Sequence, residues 1–215
     1  MGALNLGVLI GIDPWSIFLI SICGSIPFYL AHWEEYFTHS LVLGMFNGPT
    51  ETETLAIILF LVTYSNGLSW WKESVTFFVG SSPFTMQRNQ ILVYLAIAMS
   101  LFTALQSVFS GLSKARAQGI SVSVSFAQLV PISIVWMSTS LWIWTSLPLF
   151  NNYPTLFITS FGFVFSTLIG RCIVQRICNE PYRMFYPIIF PLVIAAANSL
   201  SRYILGYVTN QPCDC

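Results

Sequence analysis

The chain has 215 residues, of which 55% are hydrophobic and only 7% are charged. Soluble domains carry about 25% charged residues, so a water-soluble fold of this size could not cover its surface. The sequence therefore predicts that a lipid bilayer is the solvent. The formal net charge is +0 at pH 7. Since the chain has no excess of basic residues, nucleic acid is not expected to be a partner.

Six segments of the chain are apolar enough to be candidate transmembrane helices. A spanning helix needs about 20 mostly apolar residues, and the candidates cover residues 15–31, 55–71, 91–112, 126–147, 155–174 and 185–208. We expect Pro27, Pro131 and Pro191 to kink the helices that contain them. The sequence thus predicts an all-α integral membrane protein, with one membrane domain over residues 1–215 and a bundle of about six transmembrane helices.

Two of the connections carry apolar residues of their own. Residues 33–53 follow the first span and place Tyr36, Phe37 and Phe46 among polar residues. Aromatic side chains in such a setting are typical of the depth of lipid headgroups, so an interfacial amphipathic helix or loop is predicted there. Residues 72–90 carry a short apolar stretch and two Gly/Pro turns, and we interpret them as a connection.

The two histidines of the chain lie close together in sequence. His32, Glu35 and His39 are spaced i, i+3 and i+7, which places them on one face of a helix. Such a face could bind a metal ion. We favour instead an interfacial helix whose polar side faces water, and we predict no metal site.

Residues 50–53, TETE, come directly before an apolar run and have the pattern of a capping box. Thr50 would then bond the amide of Glu53, and the Glu53 side chain would reach back. Glu51 has no part in such a cap and lies near the positive end of the helix dipole. It is the best single candidate for a functional carboxylate.

Three arginines lie in or beside the late apolar segments. A charge inside a membrane is costly and indicates a functional site by default. Arg171 is near a helix end, from which it could extend to the headgroups. Arg202 lies deeper and is expected to pair with a carboxylate or a helix-end carbonyl. Arg176 belongs to a basic stretch, so all three are candidates for binding lipid or for ion pairing.

One stretch of the sequence resembles a known family. Residues 28–39 read FYLAHWEEYFTH and are followed by Gly44 and by NGPTE at 47–51. This resembles the pattern FY-aromatic-WEEY-x-T, then L-x-L-G-x-F-N-G-P-x-E-G, of the eukaryotic choline/ethanolamine phosphotransferases of the CDP-alcohol phosphotransferase superfamily. The matching positions are Trp33, Glu34, Glu35, Tyr36, Asn47, Gly48, Pro49 and Glu51.

The resemblance covers nearly the whole chain but only the later part of a typical family member. It implies transfer of phosphocholine or phosphoethanolamine from a CDP ester to diacylglycerol, with two Mg²⁺ or Mn²⁺ ions held by a motif D-G-x2-A-R-x8-G-x3-D-x3-D. This sequence has only two aspartates, Asp13 and Asp214, and nothing that resembles the motif. Two smaller departures are Thr52 in place of a glycine, and Gln175-Arg176 in place of an Ala-His pair. Accordingly, no catalytic residue and no cofactor are predicted for the chain as it stands.

Three functions follow from these observations. We favour a non-catalytic homologue that acts as a structural accessory subunit of a larger membrane complex, with a respiratory complex as a suggested host. The alternatives are a fragment or isoform of an aminoalcohol phosphotransferase of phosphatidylcholine and phosphatidylethanolamine synthesis, and a membrane protein that binds lipid without turnover. Expected partners are membrane lipids and other membrane subunits, or a second copy of the chain. The sequence does not distinguish the mitochondrial inner membrane from the endoplasmic reticulum or Golgi.

Overall fold

Apolar helices form most of the chain. A computed structural model describes residues 7, 10–38, 49–79, 82–178, 180 and 186–209, without the side chains of 36–38, 49–52, 79, 82, 124 and 207–209. In chain order the elements are α1 Pro14–Thr38, α2 Pro49–Asn66, α3 Leu68–Lys72, β1 Ser74–Val79, β2 Ser82–Gln87, α4 Arg88–Ala117, α5 Val122–Ala127, α6 Val130–Thr145, α7 Leu147–Asn152, α8 Pro154–Ile177, a 3₁₀ turn Pro187–Ile189 and α9 Phe190–Thr209.

The helices confirm the prediction of an all-α integral membrane protein. In the described residues, four are long and apolar enough to cross a bilayer, over Pro14–Glu35, Arg88–Ala117, Pro154–Ile177 and Pro187–Gly206. Two predicted spans, 55–71 and 126–147, fall on shorter apolar helices, Glu53–Asn66 and Val130–Thr145. The 16 residues of α6 rise only about 24 Å, which is less than the roughly 30 Å of a hydrocarbon core.

The ends of the shorter helices differ from the prediction for local backbone reasons. Gly67 has φ +81°, a left-handed conformation that favours glycine, and it separates α2 from α3 inside the predicted span 55–71. Pro131 and Pro191 were expected to kink their helices, and this was wrong, because each is the second residue of its helix. Proline fits the first helical turn, where its missing N–H is not needed. Pro27 lies inside α1 as expected.

Two antiparallel strands, β1 and β2, pair with each other in the connection between α3 and α4 and form a hairpin. The sequence predicts only a connection there, and the paired strands correct that prediction. Its first strand, SVTFFV, is built from β-branched and aromatic residues. Such residues favour a pleated, half-exposed backbone over a helix. The composition of this six-residue segment was therefore a signal for a β-strand.

The residues divide into two compact units. The first comprises Met1–Ala31 and Ser40–Phe109, and the second His32–His39 and Ser110–Cys215. In the first unit, the buried Trp71 indole N–H donates to Thr63 Oγ1 at 2.8 Å, and the Asn89 amide donates to the Gly11 carbonyl at 3.2 Å. The single membrane domain over residues 1–215 stays a prediction.

The second unit is organised around α6, which packs against both α9 and α8. Ile132, Val135 and Ile143 of α6 are fully buried. A hydroxyl cluster joins the end of α6 to α9, because Ser199 Oγ lies 2.7 Å from Thr145 Oγ1 and also bonds the Ser146 hydroxyl. Small and hydroxyl side chains let membrane helices approach and hydrogen-bond to one another.

Candidate functional site

The last turns of α1 carry four consecutive polar or aromatic side chains at the end of an apolar helix. We call His32, Trp33, Glu34 and Glu35 the α1-end cluster. The helix continues without a break to Thr38, so residues 33–38 of the predicted interfacial segment 33–53 prolong the first span. Trp33 is 1% exposed, and His32 and Glu34 are also buried. Buried polar groups require hydrogen-bond partners, so the contacts of these side chains define what the cluster can do.

Trp33 is held by a hydrogen bond and by close packing. Its indole N–H donates to the Ser125 carbonyl in α5 at 3.0 Å. Its ring lies directly over Gly111 of α4, where a Cβ would come within 2.5 Å of ring atom Cζ3. That distance is far inside van der Waals contact, so only glycine fits under the ring. Trp33 thus connects the end of α1 to two other helices of the same unit.

Glu34 lies on the same unit's interior and accepts a hydrogen bond from the Ser110 hydroxyl of α4. Glu34 and Ser110 are 76 residues apart in the sequence, and the fold of the helices brings their side chains together. A hydroxyl donor satisfies one oxygen of a buried carboxyl group without supplying a positive charge. The contact therefore favours a fixed orientation of the Glu34 side chain.

His32 and Glu35 form a pair one helical turn apart. His32 Nδ1 lies 3.3 Å from Glu35 Oε2, and Glu35 is 21% exposed. The pair therefore places an imidazole nitrogen within hydrogen-bond distance of a carboxyl group. The predicted i, i+3 relation of these two residues is confirmed. His39, the third member of the predicted face, lies outside the described residues.

The second half of the family-like segment lies at the start of α2. The helix begins at Pro49, one residue before the predicted cap Thr50, so Thr50 is inside the first turn. Glu51 is in that turn as well, but the described structure does not include its side chain, nor that of Tyr36 or Pro49. Asn47 and Gly48 lie outside the described residues. The role of Glu51 stays a prediction.

The three arginines of interest have different surroundings. Arg171 and Arg202 are exposed, whereas Arg176 is half-buried at the end of α8. The Arg176 Nε is buried and has no hydrogen-bond partner among the described residues. The neighbouring Gln175 is buried and accepts from the Tyr186 hydroxyl at 3.1 Å. Gln175 thus occupies its position as a satisfied core residue, and lipid binding by the arginines stays a prediction.

The α1-end cluster brings together one imidazole–carboxyl pair and one carboxyl group bonded to a hydroxyl. Within the described part of the chain, no three His, Cys, Asp or Glu side chains come together as metal ligands would. Ser110, Gly111 and Ser125 were missed by sequence reasoning. The pair Ser110-Gly111 inside an apolar helix was an available signal, since small residues mark contacts between membrane helices.

Removal of the Ser110 hydroxyl should leave the buried Glu34 carboxyl group without this donor. We expect Ser110→Ala to lower the free energy of unfolding by about 1–3 kcal/mol, the cost of a buried polar group that loses its partner. The matched control is Ser166→Ala, because Ser166 is exposed and its hydroxyl donates to the Phe163 carbonyl of its own helix. Both variants can be measured by denaturation with SDS in mixed micelles, followed by circular dichroism. Equal effects in the two would contradict a structural role for the Ser110–Glu34 contact.

Comparison with known proteins finds that the chain is similar to choline/ethanolaminephosphotransferases and to uncharacterized CDP-alcohol phosphatidyltransferase class-I family proteins. It is 33% identical over 201 residues to uncharacterized CDP-alcohol phosphatidyltransferase class-I family protein 2 of Dictyostelium discoideum, a match that covers 93% of this chain and 46% of the relative. It is 31% identical over 182 residues to choline/ethanolaminephosphotransferase 1 of Arabidopsis thaliana, covering 80% of this chain and 45% of that protein.

A third relative is choline/ethanolaminephosphotransferase 1 of Saccharomyces cerevisiae, 29% identical over 197 residues, which are 86% of this chain and 49% of the yeast protein. No family model matches the chain. The chain therefore spans about half the length of the curated relatives it matches.

Proposed function

The chain belongs to the CDP-alcohol phosphatidyltransferase class-I family, and from this premise we propose that its 215 residues do not catalyse phosphoalcohol transfer by themselves. One observation carries the proposal. Clamping a pyrophosphate between two hard cations needs several carboxylate ligands, and this sequence has two aspartates, Asp13 and Asp214, near its opposite ends. The α1-end cluster supplies a single carboxylate–imidazole pair and one carboxyl group bonded to a hydroxyl. These residues do not fit the Mg²⁺ or Mn²⁺ pair that the family resemblance implies.

The role we propose is that of a non-catalytic membrane subunit in a larger assembly. Many large apolar side chains of the spanning helices are exposed, including Phe109, Phe163 and Ile177. They offer surface to lipid and to other membrane proteins. That the larger assembly is a respiratory complex stays a prediction. Sizing of the native particle after gentle detergent extraction would test assembly independently of catalysis.

A second function is supported by the similarity to named phosphotransferases and by the chemistry of the cluster. The cluster places His32 Nδ1 3.3 Å from Glu35 Oε2, and an imidazole beside a carboxyl group is the kind of pair that serves as a general base in proton transfer from an alcohol. In this alternative the chain supplies the acceptor-lipid side of an aminoalcohol phosphotransferase, and a separate segment supplies the nucleotide side. The alternative requires that lipid reach the α1-end cluster. Lipid binding without turnover is the remaining alternative.

The experiment that separates these functions is a transfer assay with matched proteins. The purified chain in nanodiscs containing diacylglycerol is incubated with CDP-choline or CDP-ethanolamine and with Mg²⁺ or Mn²⁺, and labelled phospholipid is counted. The yeast relative serves as the positive control. We expect no product above the blank from this chain. Metal-dependent product would contradict the proposal.

A fusion tests the alternative directly. The part of the yeast relative that lies outside the match is joined to this chain, with and without His32→Ala. Activity of the fusion that is lost in the His32→Ala version, while both proteins remain folded by circular dichroism, would favour the acceptor-side function. An inactive but folded fusion would favour the non-catalytic subunit.

A further inference from the structure

The hairpin formed by β1 and β2 has an apolar face that its own unit leaves exposed. In an antiparallel pair, directly opposed residues share a face of the ladder. Val75 is opposite Met86, and Phe77 is opposite Phe84. Phe77 and Phe84 are 44% and 54% exposed. We call these four residues the hairpin apolar face. The base of the opposite face is polar, since Thr76 pairs with Thr85 there.

The hairpin is anchored where a membrane-spanning helix begins. Arg88 follows β2 directly and is the first residue of α4, which is long enough to cross a bilayer. The Arg88 guanidinium donates to the Trp70 carbonyl at 2.9 Å, lies 4.4 Å from the centre of the Trp70 ring and forms an ion pair with Glu73. Tryptophan and arginine at the end of a span are typical anchors at the membrane–water interface. The base of the hairpin therefore lies at headgroup depth.

From these observations we propose that the hairpin lies along the bilayer surface, with the hairpin apolar face immersed in the outer part of the lipid leaflet. The backbone favours this position over a deeper one. A two-stranded sheet has two open edges, and unpaired backbone groups are not tolerated in the hydrocarbon core. Near the turn, Phe78 and Pro83 make the opposite face apolar as well, so the turn end dips further into the leaflet than the base.

Lipid fits this face better than a protein partner does. Pro83 has no backbone N–H, which disfavours the addition of another strand to the edge of β2. The area that these four side chains could bury is also well below the roughly 800 Å² per partner that a stable protein interface buries. A leaflet needs neither a complementary shape nor a minimum area. It only removes the exposed rings from water, while the polar base on the other face stays hydrated.

Photocrosslinking in a defined bilayer tests the proposal. The full chain carries p-benzoylphenylalanine at position 77 or 84, or, as matched controls on the opposite face, at position 76 or 85. Each protein is placed in phosphatidylcholine nanodiscs and irradiated, and lipid adducts are quantified by intact-mass spectrometry. We expect adducts to be several-fold more abundant at 77 and 84 than at 76 and 85. Equal labelling at all four positions, or crosslinks to a second copy or another protein in place of lipid, would overturn the proposal.

A second measurement avoids the possibility that an altered chain misfolds. The unmodified chain is reconstituted with a phospholipid that carries a diazirine near the glycerol end of its acyl chain. After irradiation, the labelled residues are mapped by peptide sequencing. Label on Phe77 and Phe84 in preference to Thr76 and Thr85 is the expected result. Label confined to the spanning helices would overturn the proposal.

Discussion

Replacement of Trp33 by alanine is expected to lower the free energy of unfolding by about 3–5 kcal/mol, the range for truncation of a large buried aromatic residue. Trp33 is 1% exposed, and its indole N–H donates to the Ser125 carbonyl. The alanine variant loses the buried ring area and that hydrogen bond together, and it leaves a cavity between the end of α1 and α4. The free energy of unfolding of Trp33→Phe should lie between those of the native chain and Trp33→Ala, because phenylalanine keeps part of the ring but cannot donate a hydrogen bond.

The matched control is Trp144→Ala, because Trp144 lies on α6 and is 67% exposed. A side chain that faces lipid in both the folded and the denatured, micelle-bound chain gains little on folding. The three variants are compared by SDS titration in mixed micelles, with far-ultraviolet circular dichroism as the signal, since each substitution alters tryptophan fluorescence. A Trp33→Ala variant no less stable than Trp144→Ala would show that the α1-end cluster does not hold the second unit together.

The spans were predictable because the bilayer imposes one dominant rule. A segment in the hydrocarbon core must consist mostly of apolar residues and must satisfy its backbone hydrogen bonds internally. Windows of high hydrophobicity therefore locate the helices. The ends of the helices obey weaker local rules. Gly67 ends α2 through its positive φ, and Pro131 lies in the first turn of α6 where a kink was predicted. The conformational preferences that set helix ends amount to a few tenths to one kcal/mol per residue. They are small beside the free energies that decide whether a segment inserts into a membrane.

The contacts of the candidate site were less predictable than its residues. The sequence pattern singled out Trp33 and Glu34, but their partners Ser125 and Ser110 lie 92 and 76 residues away. No local propensity encodes such pairs, because they depend on which helix faces pack. The i, i+3 relation of His32 to Glu35 was predictable, since the geometry of one helical turn fixes it.

Introduction of a methyl group at Gly111 provides the sharpest test of the same packing. A Cβ at this position would meet ring atoms Cζ3, Cε3 and Cη2 of Trp33 at 2.5, 3.1 and 3.1 Å. A bulky buried ring cannot move aside cheaply, and overpacking of this kind costs about 1–3 kcal/mol. Among the described residues, nothing beyond the neighbouring part of α8 itself lies within 4 Å of a Cβ added at Gly162 or Gly170, both in α8. At those positions Gly→Ala should be neutral or stabilising by up to about 1 kcal/mol, the difference in helix propensity.

A double-mutant cycle assigns the cost of Gly111→Ala to Trp33. Trp33→Phe removes the outer edge of the bicyclic ring, where Cζ3 lies, so Gly111→Ala should destabilise the phenylalanine background much less than the native one. The expected coupling free energy is about 1 kcal/mol or more, within the range for residues in direct contact. Additive effects of the two substitutions would place the strain elsewhere in the second unit. The same cycle with Gly170→Ala in place of Gly111→Ala should show no coupling, because its added methyl group meets open space.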